Sequence, residues 1–294
     1  METVTIRENG VMAEFEKHTF GQGAPHVFFT AGIHGNEVTG VYVAGRLIDY
    51  LHEHPLLYGS VEIIPAVNTT AMRCMQRRCP FDREDLNRIF PGNQHASISH
   101  RLAAAVWEQT EQADFLIDLH CCGQHGPPYT LSVYSESEKT RALVSRITMP
   151  VAVHSEGTGG QLFTESTRKR AQAACVIELP SGAGEGSVNV SVGAGCFQAL
   201  LDLLRSLGML TGEVRGNPPA FYGTLLDVTA EKAGLWSPCV ARGDAINAGQ
   251  AIGAVDGVPV HAPAAGMAMG VRPTAYLFAD DLWVMTYVEP EQKA

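Results

Sequence analysis

The chain has 294 residues, 45 % hydrophobic and 18 % charged, an ordinary globular balance that fills a core and excludes global disorder. Its formal net charge is −10 and no Lys/Arg run interrupts it, so neither nucleic acid nor a membrane surface is an expected partner. Seven cysteines without Cys-x-x-Cys spacing, an N-terminal stretch METVTIRENGVMAEFEKH that lacks an apolar core, and no apolar run of membrane-spanning length point to reduced thiols, no targeting segment and a cytoplasmic location.

The first two-thirds alternates short apolar runs with helical periodicity, the α/β pattern. His26 to Thr30 reads as a strand, followed by the turn Ala31-Gly32-Ile33-His34-Gly35-Asn36. Val38 to His52 reads as a helix, with Val41, Leu47, Ile48 and Leu51 on one side. A strand is predicted over Val61–Val67, a helix over Ser97–Gln109, a strand over Asp114–Leu119, a helix over Leu143–Ile147 and a buried strand over Cys175–Leu179. The glycine-rich loop Gly182 to Gly186 precedes a further helix that ends near Leu207. Gly212 to Pro219 has the composition of a linker. Beyond it, turn signals such as Asp256-Gly257 separate short strand-like runs, so residues 1–212 and 213–294 are read as a larger domain and a small β domain.

Four places carry chemistry. His34-Gly35-Asn36-Glu37 stands where a strand meets a helix, and a His and a Glu three apart can turn an imidazole nitrogen and a carboxylate oxygen to one zinc ion. Alone the motif is more often a surface or capping arrangement. His120 follows the strand Asp114–Leu119 directly, and in open α/β sheets ligands gather at the carboxyl ends of strands. Taken singly it is a rim histidine; with His34 and Glu37 it completes a His₂Glu set, which leaves a fourth position for water. In Asp85-Leu86-Asn87-Arg88, the Asn and Arg pair offers forked donors for a substrate carboxylate, the alternative being a polar loop with a surface ion pair. Glu178 lies in an otherwise apolar strand, where an unpaired charge is costly. It is either a general base beside a zinc-bound water or a strand-end carboxylate paired with an arginine.

The order HxxE, DxNRxFPG, Asp-Leu-His and strand Glu, spread over residues 25–210, resembles the succinylglutamate desuccinylase/aspartoacylase family of carboxypeptidase-like zinc hydrolases. The resemblance implies an α/β fold with a mixed central sheet flanked by helices and a small C-terminal all-β domain. It implies one zinc per chain on His34, Glu37 and His120, and Glu178 as base and proton shuttle. Arg77 would polarise the scissile carbonyl, with Arg78 as the adjacent alternative. Asn87 and Arg88 would hold the substrate carboxylate, and Asp85 would orient a ligand histidine, His34. The implied activity is hydrolysis of the amide bond of a small N-acyl amino acid bearing a free carboxylate. A carboxypeptidase for short peptides, another amide or ester hydrolase, and a non-catalytic relative are the rival readings.

Two stretches depart from relatives: Asn68-Thr69-Thr70, where a proline is common after the Asn, and Cys121-Cys122, where small residues are common. The two thiols read as reduced packing groups more readily than as pocket lining. Tyr129 and Tyr134 are the candidates for an aromatic residue closing the pocket. The run Gly243 to Gln250 is similar to a biotinyl-lipoyl-like turn but has no lysine at its tip, which speaks against a swinging-arm role. The β domain is expected to narrow access to the pocket, and self-association through it is compatible with the sequence.

Overall fold

The computed structural model describes residues 1–123, 126–184 and 186–291. Of the loop expected over Gly182–Gly186, Glu185 lies outside the described residues. In chain order the larger part contains β1 (Glu2–Glu8), β2 (Val11–Gln22), β3 (His26–Ala31), α1 (Val38–Glu53), β4 (Gly59–Ile64), α2 (Thr69–Arg73), α3 (Ile98–Gln109), β5 (Phe115–Cys121), β6 (Tyr129–Ser132), α4 (Glu138–Arg146), β7 (Val151–His154), α5 (Leu162–Arg170), β8 (Ala173–Leu179), α6 (Val190–Ser206) and β9 (Ala220–Tyr222). Its strands form one mixed sheet in the order β1-β2-β4-β3-β5-β8-β6-β7-β9. The middle strands β4, β3, β5 and β8 run parallel, and β6 joins antiparallel to β8.

Side chains alternate across a strand, and both faces of this sheet are covered. Val27, Phe29 and Ala31 of β3 and Ile117 and Leu119 of β5 pack with α1, α4 and α6. Phe28 and Leu116, one position out of step, pack on the other side with α3 and α5. That second parity also carries Thr30, Asp118, His120 and Glu178. The polar groups thus lie in line at the carboxyl ends of apolar strands.

Five elements differ from the sequence expectation. The strand expected over Val61–Val67 ends at Ile64, because Pro65 has no N–H to offer the ladder. The helix expected over Leu143–Ile147 starts earlier, at Glu138, with Ser137 Oγ accepting the Thr140 N–H. Residues 2–22, to which the sequence reading assigns no element, form two strands. The β9 strand also lies beyond the expected linker and pairs in parallel with β7.

The remaining chain forms β10 (Leu226–Thr229), β11 (Gly234–Pro238), β12 (Ala245–Ile246), β13 (Ala251–Val255), β14 (Val258–His261), β15 (Gly266–Val271), β16 (Ala275–Leu277) and β17 (Trp283–Val288). These make two four-stranded antiparallel sheets, β10-β17-β15-β12 and β14-β13-β11-β16, around a core that includes the fully buried Trp236. Met269 of β15 and Val288 of β17 pack on Tyr129, Val151 and Val153 of the large sheet. No helix among the described residues is long and apolar enough to cross a membrane.

Candidate metal centre

The centre sits where β3, β5 and β8 end. After β3 the chain turns through Gly32, at φ +68°, and Gly35 presses so closely on α2 that a Cβ there would stand 2.2 Å from the Ala71 carbonyl carbon. Only glycine fits this approach, and the tight turn points His34 and Glu37 to one side. The opposite wall is set by sheet register. His120 of β5 pairs with Glu178 of β8, which in turn pairs with Tyr129 of β6.

His34 Nδ1 lies 2.8 Å from Glu37 Oε1 and 3.1 Å from His120 Nδ1, and His120 Nδ1 lies 2.9 Å from Glu37 Oε2. All three side chains are buried, and the group is one that can hold a metal ion. The outer nitrogens are held by carboxylates. His34 Nε2 donates to Asp85 Oδ1 at 3.0 Å, and His120 Nε2 donates to Asp118 Oδ2 at 2.7 Å. With the Nε2 protons directed outward and both rings neutral, as ligation of a cation requires, the two Nδ1 atoms and the two Glu37 oxygens would face each other as four acceptors. Ligand atoms that each stand about 2.0–2.2 Å from a zinc ion are roughly 3 Å from one another, so the donor set and its spacing fit a divalent cation.

Electrostatics follow the same pattern. Burial opposes ionisation of Glu37, yet His120 and His34 hold its carboxyl well below the usual range. Burial likewise opposes protonation of His120, but Asp118 and Glu37 outweigh it and raise the imidazole pKa well above its ordinary value. The Asp85 carboxyl is held low, against burial, by His34 and Arg77. Glu178 goes the other way. Burial pushes its carboxyl up to about 7, with Glu37 adding to the push and His120 opposing it.

The sequence-predicted residues separate clearly. Asp85 lies against His34, the ring it was expected to orient. Arg77, not Arg78, faces the centre: its Nε donates to Asp85 Oδ2 at 3.0 Å and its Nη1 to Glu37 Oε1 at 3.2 Å. Asn87 is buried beside His120, with Nδ2 3.5 Å from the ring, while its Oδ1 accepts the Leu162 N–H at 2.9 Å. The exposed Arg88 folds its Nη1 back onto the Asn87 carbonyl at 2.8 Å. Tyr129 is buried next to Glu178, whereas Tyr134 lines a different cavity of about 270 Å³ with Ser135 and His154. Cys121 is buried, its N–H donating to Glu37 Oε2 at 2.9 Å, and Cys122 is half-buried against the Tyr129–Met269 cluster. Burial raises both thiol pKa values; neither is a reactive thiolate.

Sequence reasoning missed Asp118. It lies fully buried two residues before His120 on one strand face, and its other oxygen accepts from Thr30 Oγ1 at 2.8 Å. The signal was present, because an Asp-x-His spacing on a strand puts both side chains on one face.

A fold with a mixed sheet capped by a His-Glu-His cluster defines a class of α/β proteins that comparison with known proteins narrows further. Residues 23–204 match the succinylglutamate desuccinylase/aspartoacylase catalytic domain, and the chain belongs to that family. It is 27 % identical over 248 residues to the N-alpha-acetyl-L-2,4-diaminobutyric acid deacetylase of Halomonas elongata, a match spanning 80 % of this chain and 71 % of that one. Two solved structures share the fold at 21 % identity. An aspartoacylase family protein from Mesorhizobium loti superposes with a TM-score of 0.81 over 99 % of this chain and 95 % of its own. The ectoine utilization protein EutE from Ruegeria pomeroyi, with product bound, superposes with a TM-score of 0.80 over 97 % and 92 %.

Proposed function

We propose that this chain is a zinc-dependent hydrolase that cleaves the amide bond of a small N-acyl amino acid. Family membership and the deacetylase named for the Halomonas relative support the reaction class. The observation that carries the metal is the meeting of four acceptor atoms from His34, Glu37 and His120 within hydrogen-bond distances of one another.

His34, Glu37 and His120 would hold the ion, and zinc bound there supplies an electrophile that acidifies water and polarises a carbonyl. Glu178 accepts the proton of the attacking water and returns it to the leaving amine; a carboxyl raised to about 7 is well matched to both transfers. Arg77, at the open edge of the cluster, offers positive charge to the developing oxyanion. Asn87, whose Nδ2 lies 3.5 Å from His120 Nε2, and Arg88 hold the substrate carboxylate and set the amide over the centre. Asp85 and Asp118 fix the two imidazole rings. In the same reading residues 1–212, with β9 completing their sheet, form the catalytic unit, the strands from β10 onward form a β domain that narrows access, and the protein works in the cytoplasm.

A panel of N-acetyl and longer N-acyl amino acids, assayed for free amine with the zinc-loaded protein, tests the reading. Release of amine that stops on chelation and returns with Zn²⁺ is expected. Cleavage of short peptides alone, or turnover indifferent to chelation, would reject it.

A further inference from the structure

The loop that leads into α5 is held by side chains of the helix it precedes. Arg168 donates from Nη1 to the Gly157 carbonyl at 3.1 Å and from Nη2 to the Glu156 carbonyl at 2.6 Å. Glu165, in the first turn of α5, accepts the Gly160 N–H on Oε1 at 2.8 Å, and its Oε2 pairs with Lys169 at 2.7 Å. Residues 156–160 are therefore fixed at both ends from one helix.

The same loop is seated on the turn that bears Asn87 and Arg88. Gly160, at φ +80°, lies so close to the Arg88 carbonyl that no Cβ could stand between them. Its own carbonyl accepts the Phe90 N–H at 3.0 Å, and the Leu162 N–H donates to Asn87 Oδ1 at 2.9 Å. Leu86 and Phe90, which flank this turn, share a buried core with Leu162 and Phe163. With Oδ1 engaged by α5, the Asn87 amide directs Nδ2 to the His120 side. The Asn87–Arg88 backbone cannot leave the loop without breaking the bond from Phe90 to Gly160.

Glu165 fixes Gly160 from the face away from Arg88. An acid in the first turn of a helix is favoured by the helix dipole whichever way it points. Here the largely buried carboxylate is turned back onto the loop. Burial opposes its ionisation, yet the Gly160 N–H and Lys169 hold the carboxyl below its usual value. A buried charge needs hydrogen-bond partners, and one of the partners is the glycine that abuts Arg88.

We propose that Glu165 is a positioning residue for substrate recognition: by pinning Gly160 it holds Asn87 and Arg88 at the spacing that admits a free carboxylate and rejects a neutral group of the same size. This rests on the proposed hydrolysis, in which Asn87 and Arg88 take the substrate carboxylate. Glu165 touches no reacting atom and acts through the loop, where a small displacement of the binding groups is costly.

The test compares N-acetyl alanine with N-acetyl alaninamide, which differ in the charge of one group. Glu165→Ala removes the acceptor, Glu165→Asp keeps the charge but shortens the reach, and Glu165→Gln keeps an oxygen for the Gly160 N–H. In the Ala and Asp variants KM for the acid should rise about tenfold, with kcat within about twofold and zinc content unchanged. The preference for acid over amide should shrink by the same factor, and Glu165→Gln should restore most of it. A loss that falls equally on both substrates, no loss at all, or no rescue by Gln overturns the positioning role. Where wild type turns over neither substrate, the reaction assignment fails, and titration of free alanine and alaninamide into the zinc-loaded protein decides the role of Glu165 separately. A preference for alanine that depends on residue 165 supports it; a preference independent of residue 165, or none, overturns it.

Discussion

His34 and His120 reach the same point by different means. His120 is set by sheet register: it lies on β5 with Asp118 two residues behind it, Thr30 on the neighbouring β3 holding that aspartate, and Glu178 level with it on β8. His34 is set by a turn: Gly35 is wedged against Ala71, Asp85 comes from a separate loop, and a partly exposed Arg77 bridges Asp85 and Glu37. A strand position inherits its accuracy from the ladder on either side, whereas a turn position depends on a few local contacts. The strand half should therefore be the rigid reference against which the turn half closes on a metal.

The largest effect belongs to the strand half. Glu178→Gln should retain metal while lowering kcat by about 10²–10⁴-fold, as expected for loss of a general base; steady-state kinetics with metal analysis would check it. The same substitution should stabilise the chelated protein at pH 8. The folded-state pKa of Glu178, about 7, lies above its ordinary value of 4.5, so the native state keeps a proton that the unfolded chain gives up. Stability then falls as pH rises from 4.5 to 7 and stays lower above it. Melting curves should show the variant above wild type at pH 8 and the two converging near pH 4.

Gly35→Ala should break the turn half without touching the strand half. A Cβ 2.2 Å from backbone carbon cannot be accommodated, and such overpacking costs about 1–3 kcal/mol. The expected result is a lower melting temperature together with weakened metal binding; normal values for both would refute the wedge.

The two supporting aspartates sharpen the comparison further. Removing a carboxylate behind a metal-binding histidine costs roughly 10–100-fold in affinity. Asp118→Asn should lie near the upper end, because Asp118 is fully buried and held by Thr30. Asp85→Asn should lie near the lower end, because Arg77 and Glu37 still frame His34. Competition titrations against a metallochromic dye would rank them, and the reverse order would undo the distinction between register and turn. The smallest effect is the pH profile: kcat/KM should rise with pH through a limb at or below about 7, since the base acts deprotonated and a bound cation lowers its pKa further.

The same contrast explains what the sequence revealed. The convergence of His34, Glu37, His120 and Glu178 was legible because each stands at or just past an apolar strand, and strand ends converge in an α/β sheet. Arg77 could not be told from Arg78 on spacing, since only the path of the loop decides which guanidinium meets Asp85. Tyr129 could not be told from Tyr134 either, until the register of β6 against β8 set the first beside Glu178. The β1–β2 hairpin escaped notice although Asn9-Gly10 marks its turn, because one face of each strand is polar; only β2 pairs non-locally, with β4.

The account stands on a divalent ion shared by His34, Glu37 and His120, and X-ray absorption at the zinc edge of the metal-loaded protein addresses it most directly. The expected spectrum has only nitrogen and oxygen neighbours at about 2.0–2.2 Å, with the outer-ring scattering of two imidazoles. Sulfur at about 2.3 Å, which would place the ion on Cys121 or Cys122, or a spectrum with fewer than two imidazoles, would contradict it.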